Sequence, residues 1–505
     1  MLMLSFILLC IVVFLISYLI YNRFCYFANR SIPSPPIPSI IFGHLSDLWS
    51  ARSYSEQLHK WTHKYGSIYG IFEGIHPVYV ISDVKIIQEI FVTQFHRFYG
   101  RRTQLSNRIL GQERLHVFAT NSNDQWKRQR TILNPAFSIS KMKRIIPIMD
   151  SSIDVFIEKL SLKNNEKIIN ILDFYKRLTM DIICRCAFGI DTKIQYDIDN
   201  KNIYMKKVQE VLEKDFERSF LARIHRIMPF SFLANICSIL FRLQHIFKYE
   251  KSSFPANFWL INHMDQFIQQ RFVQTNYQES TNDLLQLMID AVQSDTNKLS
   301  SYELLSNAYL MLAAGFETTS TALGYCTYRL AIHQNIQEKL YQEIVKYNSS
   351  DINSYEILVN KLIYLDMFVH EVLRMHPIAI QPVHRQCMED TYIDKYYIKK
   401  GTLIQVDVLS IHYDSEYWGP EPVHEFCPER HTRKRNSLAF MPFGGGPRTC
   451  LGMRFAFLEI KLCLVRLINE YRILPTDDIE QKLNITEQFV VAPEHVYVKL
   501  EKRSI

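Results

Sequence analysis

The run Phe443-Gly444-Gly445-Gly446-Pro447-Arg448-Thr449-Cys450-Leu451-Gly452 is the densest chemical signal in the chain. Its glycines let the backbone lie close against a flat object, and Pro447 stiffens the turn. Cys450 stands just before an apolar-periodic helix. The partial positive charge and free N–H groups of a helix start favour a thiolate there. Backbone donors to the sulfur would tune a metal that it binds. Arg448 can neutralise a carboxylate on a bound group. The run matches neither dinucleotide-binding nor P-loop spacing. Zinc would need a second ligand at ligand spacing, and none is there. An axial thiolate on a haem iron needs one Cys only.

Three further motifs precede this run. Trp126 and Arg130 are four apart in Trp126-Lys127-Arg128-Gln129-Arg130 and share a helix face. In Ala314-Gly315-Phe316-Glu317-Thr318-Thr319, the small pair Ala314–Gly315 leaves room beside a helix. There the Thr318 hydroxyl can bond a carbonyl one turn back. Glu371 and Arg374, at i and i+3, can pair on one helix face. His370-Glu371 begins like the zinc motif H-E-x-x-H, but position 374 is Arg and His376 falls on the wrong face.

Together these segments resemble the cytochrome P-450 superfamily, in the family's order and over nearly the whole chain. The Cys450 run fills every fixed position of F-x-x-G-x-R-x-C-x-G. The other three resemble W-x-x-x-R, [AG]-G-x-[DE]-T-[TS] and E-x-x-R. Arg430, in Phe426-Cys427-Pro428-Glu429-Arg430-His431, resembles the third member of the family's charge triad. His431 departs from the usual Phe there, which puts the packing of that loop in question. The details Cys-Leu-Gly-Met-Arg-Phe-Ala and Asp283–Asp290 look most like the animal microsomal branch that oxidises drugs and steroids.

The resemblance implies a mainly α fold with smaller β-sheets (α+β) around haem b, with Cys450 as axial ligand. It implies that Trp126, Arg130, Arg385, Arg448 and Arg101 hold the propionates, with Phe443, Gly444, Ala314 and Gly315 against the ring. Glu317 and Thr318 would relay protons. Glu371, Arg374 and Arg430 would fix the cysteine loop without doing chemistry. The implied activity is an NADPH- and dioxygen-dependent monooxygenase that inserts one oxygen atom into an apolar lipid, steroid or xenobiotic. Its implied partners are NADPH–cytochrome P-450 reductase and, optionally, cytochrome b5, docking near Lys127, Arg128, Lys434 and Arg435. Two alternatives stay open: a haem-thiolate isomerase or dehydratase acting on peroxides without a reductase, and a non-catalytic haem sensor or electron carrier.

The elements that must position these residues follow from periodicity. Strands are predicted at Ile68–Phe72 and Val78–Ser82, with Asp83 capping a helix to about Val92. Helical periodicity covers Asp124–Leu133, Ser140–Leu160, Ile171–Phe188, Ile203–Phe220, Pro255–Gln274, Asn282–Gln293, Asn335–Tyr347 and Leu362–Met375. The apolar stretch Ser301–His333 reads as a central helix, because Glu317, its threonines and Arg329 argue against a membrane span. Strands recur near Thr391–Ile398 and Leu403–Val408, a last helix covers Met453–Glu470, and strands close the chain.

Met1–Tyr21 carries no charged side chain and is long enough to span a bilayer. Arg23 and Arg30 behind it place the remainder in the cytosol, which predicts a single-pass endoplasmic reticulum anchor at 1–21. A proline-rich linker at 22–43 and one catalytic domain at 44–505 follow. The net charge of +7 over 505 residues is spread without a polybasic arm, which argues against nucleic acid. Ten cysteines at irregular spacing, without a CxxC, fit buried thiols in a reducing compartment. Substrate choice is expected in the loops Phe98–Phe118 and Leu212–Phe247.

Overall fold

The computed structural model describes residues 2–102, 115–163, 168–197, 256–273, 283–294, 298–347, 353–476 and 483–503, with isolated positions between 203 and 239. Most of the predicted helix 203–220 and most of both specificity loops lie outside the described residues.

Leu2–Phe24 forms helix α1. Not all of its side chains are described, and among the described residues no helix is long and apolar enough to cross a membrane. Past it the chain does not stand off as a free spacer. Phe27 and Ile32 are buried against Phe72 and Tyr79, and Gly70 N–H donates to Pro33 O at 2.8 Å. A Cβ on Gly70 would lie 2.2 Å from the Phe27 ring, so glycine is what admits that ring.

Strands β1 (Ile68–Glu73) and β2 (His76–Ile81) form an antiparallel hairpin. Asp83 then accepts from the N–H groups of Lys85 and Ile86 and starts a short helix, Val84–Gln88. The expected continuation to Val92 is present, but as a wider π turn over Glu89–Thr93. Two helices precede the hairpin in a stretch for which the sequence reading names no element, Leu45–Ser50 and Tyr54–Tyr65. The second is announced by Ser53, which accepts from Glu56 N–H.

The helical body contains α2 (Asn123–Leu133), α3 (Ile139–Leu162), α4 (Ile171–Phe188), α5 (Leu284–Gln293) and α6 (Ser301–Ile332). It also contains α7 (Ile363–Met375) and α8 (Met453–Glu470). Helix α6 begins with a reciprocal box: Glu303 N–H donates to Ser300 Oγ at 3.1 Å, and Ser300 N–H to Glu303 Oε2 at 2.9 Å. Leu312, Phe316, Leu323 and Leu330 on α6 are buried with α4 and α8 residues in one apolar core. A helix apolar on nearly all sides is stabilised by burial of most of its surface in this way.

Strand β3 (Ile169–Asn170) precedes α4, and β4 (His384–Gln386) follows α7. A small hairpin joins β5 (Thr391–Ile393) to β6 (Tyr396–Ile398), and β7 (Leu403–Val406) completes a four-stranded sheet in the order β1-β2-β7-β4. β7 runs parallel to β2 and antiparallel to β4. The chain closes with β8 (Tyr471–Leu474), β9 (Ile485–Glu487), β10 (Val491–Pro493) and β11 (Tyr497–Lys502), where β11 lies between β3 and β8. The whole is mainly helical with small sheets, the predicted class.

Candidate functional site

A cavity of about 370 Å³ lies between α6, α2, β4 and the cysteine loop. Its volume is in the range of pockets that hold small organic molecules. Its wall is mostly apolar, with Ile145, Leu287, Met311 and Phe489 among the residues around it. Cys450, Phe443 and Gly444 contribute one part of the wall, and Ala314, Gly315 and Thr318 contribute another. Trp126, Arg130, Arg101, Arg385 and Arg448 also line it.

The cysteine loop is built by its own backbone. Gly444 N–H donates to Met441 O at 3.1 Å, Thr449 N–H to Gly446 O at 3.0 Å, and Cys450 N–H to Phe443 O at 2.9 Å. Gly444 and Gly446 take φ of +70° and +67°, where side chains with a Cβ are strained. Gly446 is needed twice, since a Cβ there would lie 2.1 Å from Phe91 O. Gly446→Ala is therefore expected to destabilise the fold by about 2 kcal/mol or more, read as a lowered thermal midpoint. An unchanged midpoint would mean that the loop can move off Phe91 freely.

The Cys450 sulfur is deep within the protein, and its accessible surface faces the cavity. Burial pushes its thiol up, while a hydrogen bond from the Gly452 backbone and the charge of Arg130 pull it down. Arg130 also donates to Thr449 O at 2.8 Å, tying α2 to the loop.

Three guanidiniums, from Arg101, Arg385 and Arg448, converge here. Arg448 donates to Thr120 O at 2.9 Å and lies 5.0 Å over the Trp126 ring. Arg385 donates to Gly445 O at 3.0 Å and lies 4.0 Å over Phe91. Arg101 donates to Pro382 O. Burial, then mutual repulsion, lowers Arg448 to about 8 and drives Arg385 well below its ordinary value; burial lowers Arg101 to about 10. The Nε of each is buried without a partner, and none is paired with a carboxylate among the described residues. Burying positive charge in this way is costly unless an anion joins it. The donor set therefore fits a flat apolar group carrying carboxylates at its edge and offering a metal to one sulfur, as haem does.

On α6, Thr318 Oγ1 donates to Ala314 O at 2.6 Å, the expected bond one turn back. The helix nevertheless runs on without a break. Two features differ from expectation. A Cβ on Gly315 would meet Ile183 Cδ1 at 2.8 Å, so this glycine serves the close packing of α6 on α4 as well as the cavity. Glu317 is half-buried and is not among the residues lining the cavity.

The charge triad closes at full burial. Glu371 accepts two bonds from Arg374, at 2.8 and 2.9 Å, and one from Arg430 at 2.8 Å. His431 lies 2.9 Å from the second oxygen of Glu371 and adds a polar partner. Sequence reasoning missed His412. Arg374 donates to His412 O at 2.7 Å, and the Met441 N–H donates to His412 Nε2 at 2.9 Å. With Nε2 accepting, Nδ1–H donates to Arg374 O at 2.8 Å. Burial lowers His412 to about 3, which keeps this neutral tautomer. His412 is thus the strut between the triad and the residues just before Phe443. Glu459 on α8 was also not singled out; it is fully buried with both oxygens unpartnered, and burial holds its carboxyl well above the ordinary range.

Two of the four cations expected at a docking face are engaged elsewhere. Arg128 pairs with Glu303 at 2.6 Å, and Arg435 donates to Tyr417 O and lies 5.1 Å over Trp418. Lys127 and Lys434 are exposed.

The family model described as cytochrome P-450 matches residues 33–500. The chain is similar to cytochrome P-450 3A12 of Canis lupus familiaris, 32% identical over 457 residues, covering 87% of this chain and 86% of that one. It is 32% identical to cytochrome P-450 3A29 of Sus scrofa, covering 93% and 90%. It is 30% identical to cytochrome P-450 3A13 of Mus musculus, with the same coverage of each.

Proposed function

Since the chain belongs to the cytochrome P-450 family, we propose that it is a membrane-bound haem-thiolate monooxygenase. The substrate class proposed is an apolar lipid, steroid or xenobiotic. The single observation that carries this reading is one cavity lined by Cys450 of the glycine-rich loop and by three buried guanidiniums that no carboxylate pairs with among the described residues.

Haem b, if held by the Cys450 sulfur, would supply dioxygen activation and oxygen transfer. The residues of the chain do the rest. Arg101, Arg385 and Arg448, with Trp126 and Arg130, would hold the haem carboxylates, and Phe443, Gly444, Ala314 and Gly315 would lie against it. The Gly452 N–H and the charge of Arg130 favour the Cys450 thiolate against the burial that raises it, and bonding to a metal would complete the deprotonation. Thr318 presents a hydroxyl to the cavity, and Glu317 feeds it protons from outside the lining. Apolar neighbours such as Met311 and Phe489 exclude water and hold the substrate. Glu371, Arg374 and Arg430 keep the loop in place and touch no reactant.

Electrons come from NADPH through a flavoprotein reductase, with cytochrome b5 as a second donor, and exposed Lys127 and Lys434 meet its acidic face. Residues 1–21 act as a single-pass anchor, 22–43 as linker and 44–505 as the catalytic domain on the cytosolic side of the endoplasmic reticulum. The support is the uncharged apolar run before Arg23, with Met3, Phe6, Phe14 and Tyr18 of α1 exposed.

A ligand screen of the purified haem-loaded protein by haem absorbance tests this reading. Apolar candidates should displace a spectral transition saturably and then stimulate NADPH and dioxygen consumption with the reductase. Peroxide rearrangement without NADPH would overturn it. Thr318→Ala is expected to lower oxidation by about a hundredfold, the scale of losing a positioned proton donor, with haem content unchanged. Undiminished product formation would remove Thr318 from the proton path.

A further inference from the structure

We propose that His59 and His63 form a two-histidine clip for an exchangeable divalent transition-metal ion such as Zn2+. The two sit four residues apart on the 12-residue helix Tyr54–Tyr65, so their side chains share one face. Their Nε2 atoms are 3.2 Å apart. Two nitrogens at that spacing, each at a metal–imidazole distance of about 2.0–2.1 Å, subtend roughly 100° at the ion. That angle suits both tetrahedral and square-planar coordination. His63 is exposed and His59 half-buried, so an ion can reach the pair from solvent.

The second sphere is already built. Ser410 donates its hydroxyl hydrogen to Asp407 Oδ2 at 2.5 Å, and Thr62 donates to the same oxygen at 2.6 Å. With its hydrogen committed, Ser410 Oγ accepts from His59 Nδ1–H at 2.7 Å. The lone pair of His59 therefore sits on Nε2, facing His63. A histidine oriented through its other nitrogen by a hydroxyl–carboxylate string is the usual support of an imidazole ligand. With Nδ1–H donating to Ser410 and Nε2 accepting, the His59 ring is neutral, the form that binds metal. In the free protein His63 Nε2–H donates to His59. Binding needs only that His63 move its proton to Nδ1, after which both Nε2 lone pairs form dative bonds.

Among the described residues no group of three or more His, Cys, Asp or Glu side chains could hold a metal. Water completes the coordination, which makes the ion exchangeable. Imidazole ligands select zinc, copper and nickel over magnesium and calcium.

The test is calorimetric titration of the full-length haem-loaded protein with zinc chloride, with magnesium chloride as control. One zinc site is expected that His63→Gln weakens at least about tenfold. Ser410→Ala, which keeps both histidines, should weaken it about 10–100-fold, the effect of losing a second-sphere partner. Equal zinc binding by wild type and His63→Gln would overturn the site. Wild-type affinity in Ser410→Ala would overturn the built second sphere. Neither variant touches the haem cavity, so their results stand apart from the monooxygenase reading.

Discussion

Cys450→His is expected to fold around haem yet lose more than about a thousandfold of its oxidation rate, some 4 kcal/mol of barrier. The histidine can still reach a metal from the same loop, so haem content alone will not report the change. What is lost is a negatively charged ligand. Two neighbours favour an anion, the Gly452 N–H and the Arg130 charge, although burial outweighs them in the protein alone. A neutral imidazole uses neither and donates less electron density to the iron. The check is the absorbance of reduced protein under carbon monoxide. Wild type should show the band typical of sulfur ligation, and the variant should not. Persistence of that band in Cys450→His, or its absence from wild type, would end the proposal.

Glu371→Ala carries the second large effect, and it falls on folding. Glu371 is completely buried and serves Arg374, Arg430 and His431 together. Its removal leaves buried Arg374 without its carboxylate and buried Arg430 with only Glu421, 4.0 Å away. Breaking a buried ion pair from one side costs about 3–5 kcal/mol, against total stabilities of about 5–15 kcal/mol. Little folded, haem-containing protein is expected, measured as haem per polypeptide after expression. Wild-type yield and thermal midpoint would show that the triad is dispensable.

The same carboxylate gives a pH dependence. Burial alone would raise it, but the bonds and charge of Arg374, with His431 and the Cys427 N–H, outweigh burial and lower it to about 2 from an ordinary 4.5. A depressed carboxylate stabilises fully above its unfolded value and loses that contribution as pH falls through the folded one. Wild type should therefore lose stability between about pH 4.5 and pH 2. Glu371→Gln should lack that part of the acid transition.

Much of this site could be read from spacing alone, because the chemistry is local in sequence. Phe443 to Gly452 is one turn, and Ala314 to Thr319 is one and a half turns of helix. Glu371 and Arg374 are one turn apart. What spacing hid was the connection between these pieces. His412 lies 38 residues from Arg374 and meets it largely through backbone atoms, which carry no residue-type signal. The short strand His384–Gln386 is defined by its partners and not by any alternation of its own. The helix Tyr54–Tyr65 was obscured by mixed polarity, although Ser53 and Glu56 mark its start. Gly315 could be recognised as small, but only the packing of α6 on α4 shows that Ile183 requires it.

The cluster of Arg101, Arg385 and Arg448 bears on how the molecule is made. Three like charges held together in a dry interior work against closure of the chain around them. The polypeptide on its own thus carries a built-in resistance to finishing, released when a carboxylated guest arrives. Closure of the chain and capture of its guest are on that account one event, not two in succession.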